Sequence, residues 1–242
     1  MNAIEAKGLT KQFKERTAVD SLDVSVKKGE LFALLGQNGA GKSTTIRMLC
    51  GLLAPTAGDA YICGHSVTKE PLLAKQVTNV SPQETAVAAK LSVQENLELI
   101  ARLYGDDKKT AREKAEKMMD AFHLTDRRKD RAKNLSGGWQ RRLSIAMALI
   151  TEPEVLFLDE PTLGLDVRAR RDLWKHIEEL KGRITVVLTT HYLEEAAALS
   201  DRLMIMDKGR CQAEGTLAEI LEKTGKASLE EAFLSLTEEV YE

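Results

Sequence analysis

Gly36-Gln37-Asn38-Gly39-Ala40-Gly41-Lys42-Ser43-Thr44 is the stretch with the densest potential chemistry in the chain. Its glycines, lysine and serine fall at the spacing G-x-x-x-x-G-K-[ST]. Gly36, Gly39 and Gly41 permit backbone angles and close approaches that a Cβ forbids. Such a loop turns its N–H groups inward around a phosphate chain. A helix start at the same point adds partial positive charge. Lys42 is then placed to meet the β- and γ-phosphates, and the Ser43 hydroxyl to ligate Mg²⁺. A glycine turn merely joining strand to helix is the bland alternative, and ordinary glycine usage makes a chance match rare.

A second set of groups fits the same chemistry. Val155-Leu156-Phe157-Leu158-Asp159-Glu160 reads as a buried strand ending in two carboxylates, and open α/β sheets place their ligands at strand carboxyl ends. Asp159 suits a Mg²⁺ shell, and Glu160 suits accepting a proton from attacking water. A strand-end acid that only caps the following Pro161-Thr162 turn is the alternative. Another apolar strand, Ile184 to Thr189, delivers Thr190-His191 to the same edge. Ser136-Gly137-Gly138 stands before an apolar helical run, Leu143 to Ile150. A serine N-cap followed by two exposed glycine amides makes a second anion site on chemical grounds, although such a triplet is often only a loop. Phe13, in what reads as a polar loop from Thr10 to Thr17, either stacks on a base or covers the sheet edge.

These residues need a scaffold. Leu31 to Leu35 is an apolar run that predicts the strand before the glycine loop, and Thr44 to Cys50 predicts a helix ending at Gly51. Further strands are expected at 3–7, 22–26, 60–62 and 77–80, with a hairpin over 203–210. Between about 90 and 150 the pattern turns helical. Ser92-Val93-Gln94-Glu95 fits a capping box ahead of Leu97, Ile100, Ala101 and Tyr104. Ala111, Ala115, Met118, Met119 and Phe122 form one stripe over 107–123. His123 reads as a helix-end residue, and 127–131 as a solvated basic loop. Ser228 to Thr237 predicts a final amphipathic helix.

Composition narrows the class. The chain has 242 residues, with 43% apolar and 30% charged side chains, ordinary for a globular protein. A net charge of −2 gives no electrostatic case for nucleic acid or an anionic membrane. No apolar run reaches the roughly 20 residues of a bilayer span, and Met1 to Lys7 has no signal-peptide core, so a cytoplasmic protein is expected. Cys50, Cys63 and Cys211 are scattered, which argues for free thiols over a disulfide or metal framework.

Taken in order, these motifs resemble the nucleotide-binding subunit of an ATP-binding cassette (ABC) transporter over residues 1–236. The resemblance implies an α/β fold with a P-loop NTPase core, a mixed sheet, an N-terminal antiparallel β subdomain and an inserted α-helical subdomain. It implies one domain over 1–242: core and β subdomain at 1–88 and 151–220, helical subdomain at 89–150, helical tail at 221–242. It implies ATP and Mg²⁺ as ligands, with Phe13 as the adenine-stacking aromatic and Gly36 to Thr44 as the Walker A loop. Gln83 resembles the glutamine near the metal, the attacking water and the membrane partner. Ser136-Gly137-Gly138 resembles the family signature, and Asp159 and Glu160 the Walker B aspartate and catalytic base. Gly164-Leu165-Asp166 resembles the D-loop, and His191 the switch histidine. Trp139 stands where the family usually has glutamine, and Phe13 where tyrosine is commoner.

The resemblance further implies two chains sandwiching two ATP molecules head to tail, with membrane permease subunits docked near Thr85-Ala86-Val87-Ala88-Ala89. The tail resembles those of bacterial drug, antibiotic and sodium exporters, implying export and a location on the cytoplasmic face of the membrane. A soluble cassette ATPase is an alternative; no coiled coil interrupts the 100-residue interval from Gly36 to Ser136. A regulatory ATP-binding module is another, opposed by Glu160 and His191 and kept open by Trp139.

Overall fold

The computed structural model describes residues 1–237. β1 (Asn2–Phe13) and β2 (Arg16–Lys27) make a long antiparallel hairpin, and β3 (Leu31–Leu35) leads through the glycine loop into α1 (Lys42–Leu49). β4 (Ala57–Ile62), β5 (His65–Ser66), α2 (Pro71–Gln76) and β6 (Thr78–Ser81) follow. Three helices come next: α3 (Val93–Leu103), α4 (Lys108–Ala121) and α5 (Gly137–Leu149). The chain then returns through β7 (Val155–Asp159), α6 (Val167–Glu178), β8 (Thr185–Thr190) and α7 (Leu193–Leu199). It ends with β9 (Arg202–Asp207), β10 (Arg210–Gly215), α8 (Leu217–Thr224) and α9 (Leu229–Thr237).

Two sheets result. β2-β1-β4-β5 is antiparallel, and β10-β9-β3-β8-β7-β6 is mixed, parallel from β9 to β6 with β10 antiparallel at one edge. β3, β7 and β8 are buried at every residue. Successive side chains of a strand point to opposite faces, and here both faces are covered. Leu31, Ala33, Leu35, Leu156 and Leu158 join a core with α3 to α7, while Phe32, Leu34, Val155 and Phe157 join a core with α1 and the antiparallel sheet. That double coverage explains the unbroken apolar runs in the sequence. It also sets a register with Leu35 beside Thr190 and Asp159 beside Thr189. Gly36, Glu160 and His191 therefore emerge side by side at one sheet edge.

The helical segment forms as its sequence predicts. Ser92 accepts from the Glu95 amide and Glu95 accepts from the Ser92 amide. The apolar stripe of α4 buries Ala111, Ala115 and Met119 against α3 and α5. Elsewhere the structure departs from the sequence expectations. Phe13 is not in a loop: it ends β1 at the tip of the hairpin. Residues 127–131 are not simply solvated, since Arg128 pairs with Glu116 and Arg127 lies over Trp139. His123 stacks on His176 at a centroid distance of 5.2 Å. Helices α2 and α6 were not anticipated, and α8 starts at Leu217 rather than 221. Residues 238–242 of the expected tail lie outside the described residues. Among the described residues, no helix is long and apolar enough to cross a membrane. All three cysteines are free.

Candidate active site

A cleft of about 540 Å³ opens at the carboxyl edge of β3, β7 and β8. Its walls include Phe13, Asn38, Gly39, Gly41, Lys42, Ser43, Thr44, Gln83, Glu160 and His191. These ten were singled out from sequence, and the fold brings them together.

The glycine loop packs too tightly for a side chain at its first and last glycines. A Cβ on Gly36 would lie 2.5 Å from the Met206 carbonyl oxygen, and one on Gly41, where φ is +105°, 2.6 Å from that of Ala18. The loop therefore wraps close to the sheet before α1 begins at Lys42. Lys42 Nζ donates to the carbonyls of Gly36 at 2.7 Å and Gln37 at 3.1 Å. It also lies 3.3 Å from Glu160 Oε1, both side chains being buried. Gln37 and Ala40 line an adjoining hollow with Arg16.

Asp159 and Ser43 meet beneath the loop. Ser43 Oγ donates to Asp159 Oδ1 at 2.9 Å, and Thr189 Oγ1 donates to the same oxygen at 2.6 Å. A hydroxyl and a carboxylate side by side are hard oxygen donors of the kind Mg²⁺ takes. Lys42 and the glycine cradle fit the phosphates such a metal accompanies.

Glu160 is held from several sides. Its Oε2 is 2.8 Å from His191 Nδ1, a bond satisfied by the neutral tautomer with the proton on Nδ1. Its amide donates to Thr189 Oγ1 at 3.0 Å. Its φ of +48° lies in the left-handed region, a strained setting for a side chain that is not glycine. The carboxylate thus faces the cleft between an ammonium and an imidazole, placed to take a proton from a water molecule.

Ser136, Gly137, Gly138 and Asp166 do not line this cleft. Ser136 occupies the N-cap of α5 but makes no capping bond, so its hydroxyl is left for another partner. Gly138 packs against α6, where a Cβ would meet that of Ala169 at 3.2 Å. Asp166 caps α6 by accepting from the Ala169 amide at 2.9 Å. Trp139 packs against the core. Its ring carries the guanidinium carbons of Arg127 at 5.0 Å and Arg142 at 4.7 Å from its centroid, two cation–π contacts at the start of α5.

Four contributors escaped the sequence reading: Arg16, Thr189, Arg141 and Glu195. Arg16 lines the mouth beside Phe13 and donates to the Gly39 carbonyl at 3.5 Å; a cation just past the aromatic was its only signal. Thr189 read as an ordinary strand former. Arg141, one of two adjacent arginines ahead of an apolar run, carried no signal in the sequence, yet it is buried and reaches the backbone around Asp159. Glu195 is buried on α7, accepts from Trp174 Nε1 at 3.0 Å, and burial pushes its carboxyl above the usual range. A second groove, lined by Arg47, Leu52, Gln83, Thr85 and Ala86, lies behind the cleft. Of the stretch 85–89, Val87 packs into the core and the Ala88 amide donates to Asn96.

Comparison with known proteins decides the family. Residues 19–163 match the family described as ABC transporter. The chain belongs to that family. It is 46% identical to the daunorubicin/doxorubicin resistance ATP-binding protein of Streptomyces peucetius, across 92% of this chain and 68% of that relative. It is 38% identical to the linearmycin resistance ATP-binding protein of Bacillus subtilis, across 92% of this chain and 72% of the other. Among solved structures, an ATP-binding subunit of an ABC transporter superposes with a TM-score of 0.87 at 31% identity, covering 98% of this chain and all of that one. A dimeric, post-hydrolysis ATP-binding cassette holding ADP and Pi gives 0.80 at 25% identity, covering 88% of this chain and 98% of that one. This ABC protein is therefore an ATP-binding, ATP-hydrolysing subunit of the transporter type, with the mixed-sheet P-loop fold expected of it.

Proposed function

We propose that this subunit powers export across a bacterial membrane, working from the cytoplasmic face on permease subunits docked near Thr85-Ala86-Val87-Ala88-Ala89, the first two of which line a groove. Two chains, most simply identical, close head to tail over two ATP molecules. Phe13 stacks on adenine, and the amides of residues 36–44 with Lys42 hold the phosphates. Ser43, Asp159 and Gln83 would hold Mg²⁺, which when bound would neutralise the negative charge of the phosphates. Glu160 takes the proton of the attacking water, and His191 fixes that carboxylate while facing the γ-phosphate. Ser136, Gly137 and Gly138 of the opposite chain complete each site, and Asp166 sits at the junction. The relatives' names, which speak of drug and antibiotic resistance, support the outward direction.

The observation that carries this reading is the position of Glu160, braced by Lys42 and His191 at the mouth of a phosphate cradle. The test is Glu160→Gln. Removing a general base costs roughly 10²- to 10⁴-fold in rate, so turnover should fall within that range while nucleotide binding persists. Equal rates for the variant and the wild type would remove Glu160 from the role of base.

A further inference from the structure

We propose that Arg141 is a positioning residue for hydrolysis, pinning the backbone on both sides of Glu160 and tying it to the Gln83 segment and the signature helix. The inference rests on the cleft being hydrolytic, and it adds a residue that never touches nucleotide.

Arg141 lies one turn inside α5 and is buried. Its Nε donates to the Pro161 carbonyl at 2.8 Å and its Nη2 to the Asp159 carbonyl at 2.6 Å. Those two carbonyls flank Glu160 in the chain. Its Nη1 donates to the Pro82 carbonyl and, at 3.4 Å, to that of Gln83. One planar fork therefore ties together the ends of β6 and β7 and the helix that starts at the signature loop. A guanidinium suits this task because its donors diverge in one rigid plane. A lysine offers a point charge, and a glutamine a single shorter fork.

The demand for such a tie is local. Glu160 holds φ at +48°, a conformation that persists only where the surroundings over-determine it. The Thr189 bond to its amide is one restraint, and the two pinned carbonyls supply the others. Burial pushes the Arg141 pKa down to about 10 while Asp159, Glu195 and Glu160 oppose that shift, so the group is charged at neutral pH. A cation buried in this way would be costly without its acceptors.

The test uses the full chain with Mg²⁺ and ATP, comparing wild type, Arg141→Gln and Arg141→Lys. A misplacement of about 1 Å can cost roughly a hundredfold in rate, so kcat should fall by about that factor in both variants. The KM for ATP should move by less than about threefold, since Arg141 makes no contact with the glycine loop. Amide hydrogen exchange should quicken at 83–85 and at 160, 162 and 163 and stay unchanged in α3 and α4. If Arg141→Gln does not fold, Arg141→Lys is read by the same two measures. Wild-type kcat, or exchange that quickens evenly along the whole chain, would overturn the proposal. Glu160→Gln run alongside separates the two ideas: full turnover there retires the reading of the cleft as hydrolytic, while exchange at 160, 162 and 163 still decides whether Arg141 holds the turn.

Discussion

A single carboxylate oxygen, Asp159 Oδ1, receives hydroxyl hydrogens from both Ser43 and Thr189. Thr189 works twice, because its oxygen also accepts the Glu160 amide. Thr189→Val keeps the shape and removes both bonds. A buried amide left without its partner costs about 1–3 kcal/mol, so urea denaturation should show a loss of that order. The Mg²⁺ concentration needed for half-maximal ATPase should rise in the same variant, because Asp159 loses one of its two orienting hydroxyls. Ser43, Asp159 and Glu160 were legible in the sequence because their types, spacing and strand context act together. Thr189 was not, since a threonine on a buried strand reads as a β-former. Arg141 was not, since its acceptors are carbonyls on segments 20 and 59 positions away.

At the scale of elements, α6 shows where pattern reading fails. Half of its sequence, Val167 to Glu178, is charged, and the buried face is carried by Leu173, His176 and Ile177, so its apolar stripe, Ala169, Leu173 and Ile177, is narrow and easily passed over. The first hairpin was under-read for a different reason: register shifts near Ala6 to Lys11 break the alternation on which strand detection depends. The capped helix α3 and the doubly covered strands β3, β7 and β8 were legible because local signal and burial agree. α6 also carries a pH dependence. His176 packs on Phe122 and His123 from the end of α4, with Arg142, Asp172 and Glu179 around it. Burial, helped by Arg142 and His123, holds its pKa below the usual value. The unfolded chain then binds the proton more readily than the folded one, so stability is present above the ordinary histidine pKa and is lost as pH falls toward the depressed value. Urea midpoints should therefore drop between about pH 8 and about pH 5. His176→Phe, which keeps the ring packing, should flatten that part of the profile, and an unchanged slope would assign it to other groups.

At the scale of the whole molecule, the phosphate loop and residues 136–138 face different surroundings in one chain. A two-fold pairing turns that separation into complementation. Lys42→Ala and Ser136→Arg should each be inactive alone. Mixed, about half the dimers carry one chain of each kind, and each of those has one intact site of two. ATPase activity should then return to roughly a quarter of the wild-type level if sites act independently. Silence in a mixture shown by size-exclusion to contain heterodimers would place both halves of a site in one chain.

The same layout has a kinetic corollary. Under the proposed pairing an isolated copy would hold half of two reaction centres and the whole of none, so velocity in dilute solution should climb with the square of protein concentration before becoming linear. Scarcity of its own copies would act as a brake on fuel consumption, and anything that crowds two copies onto one platform would release it.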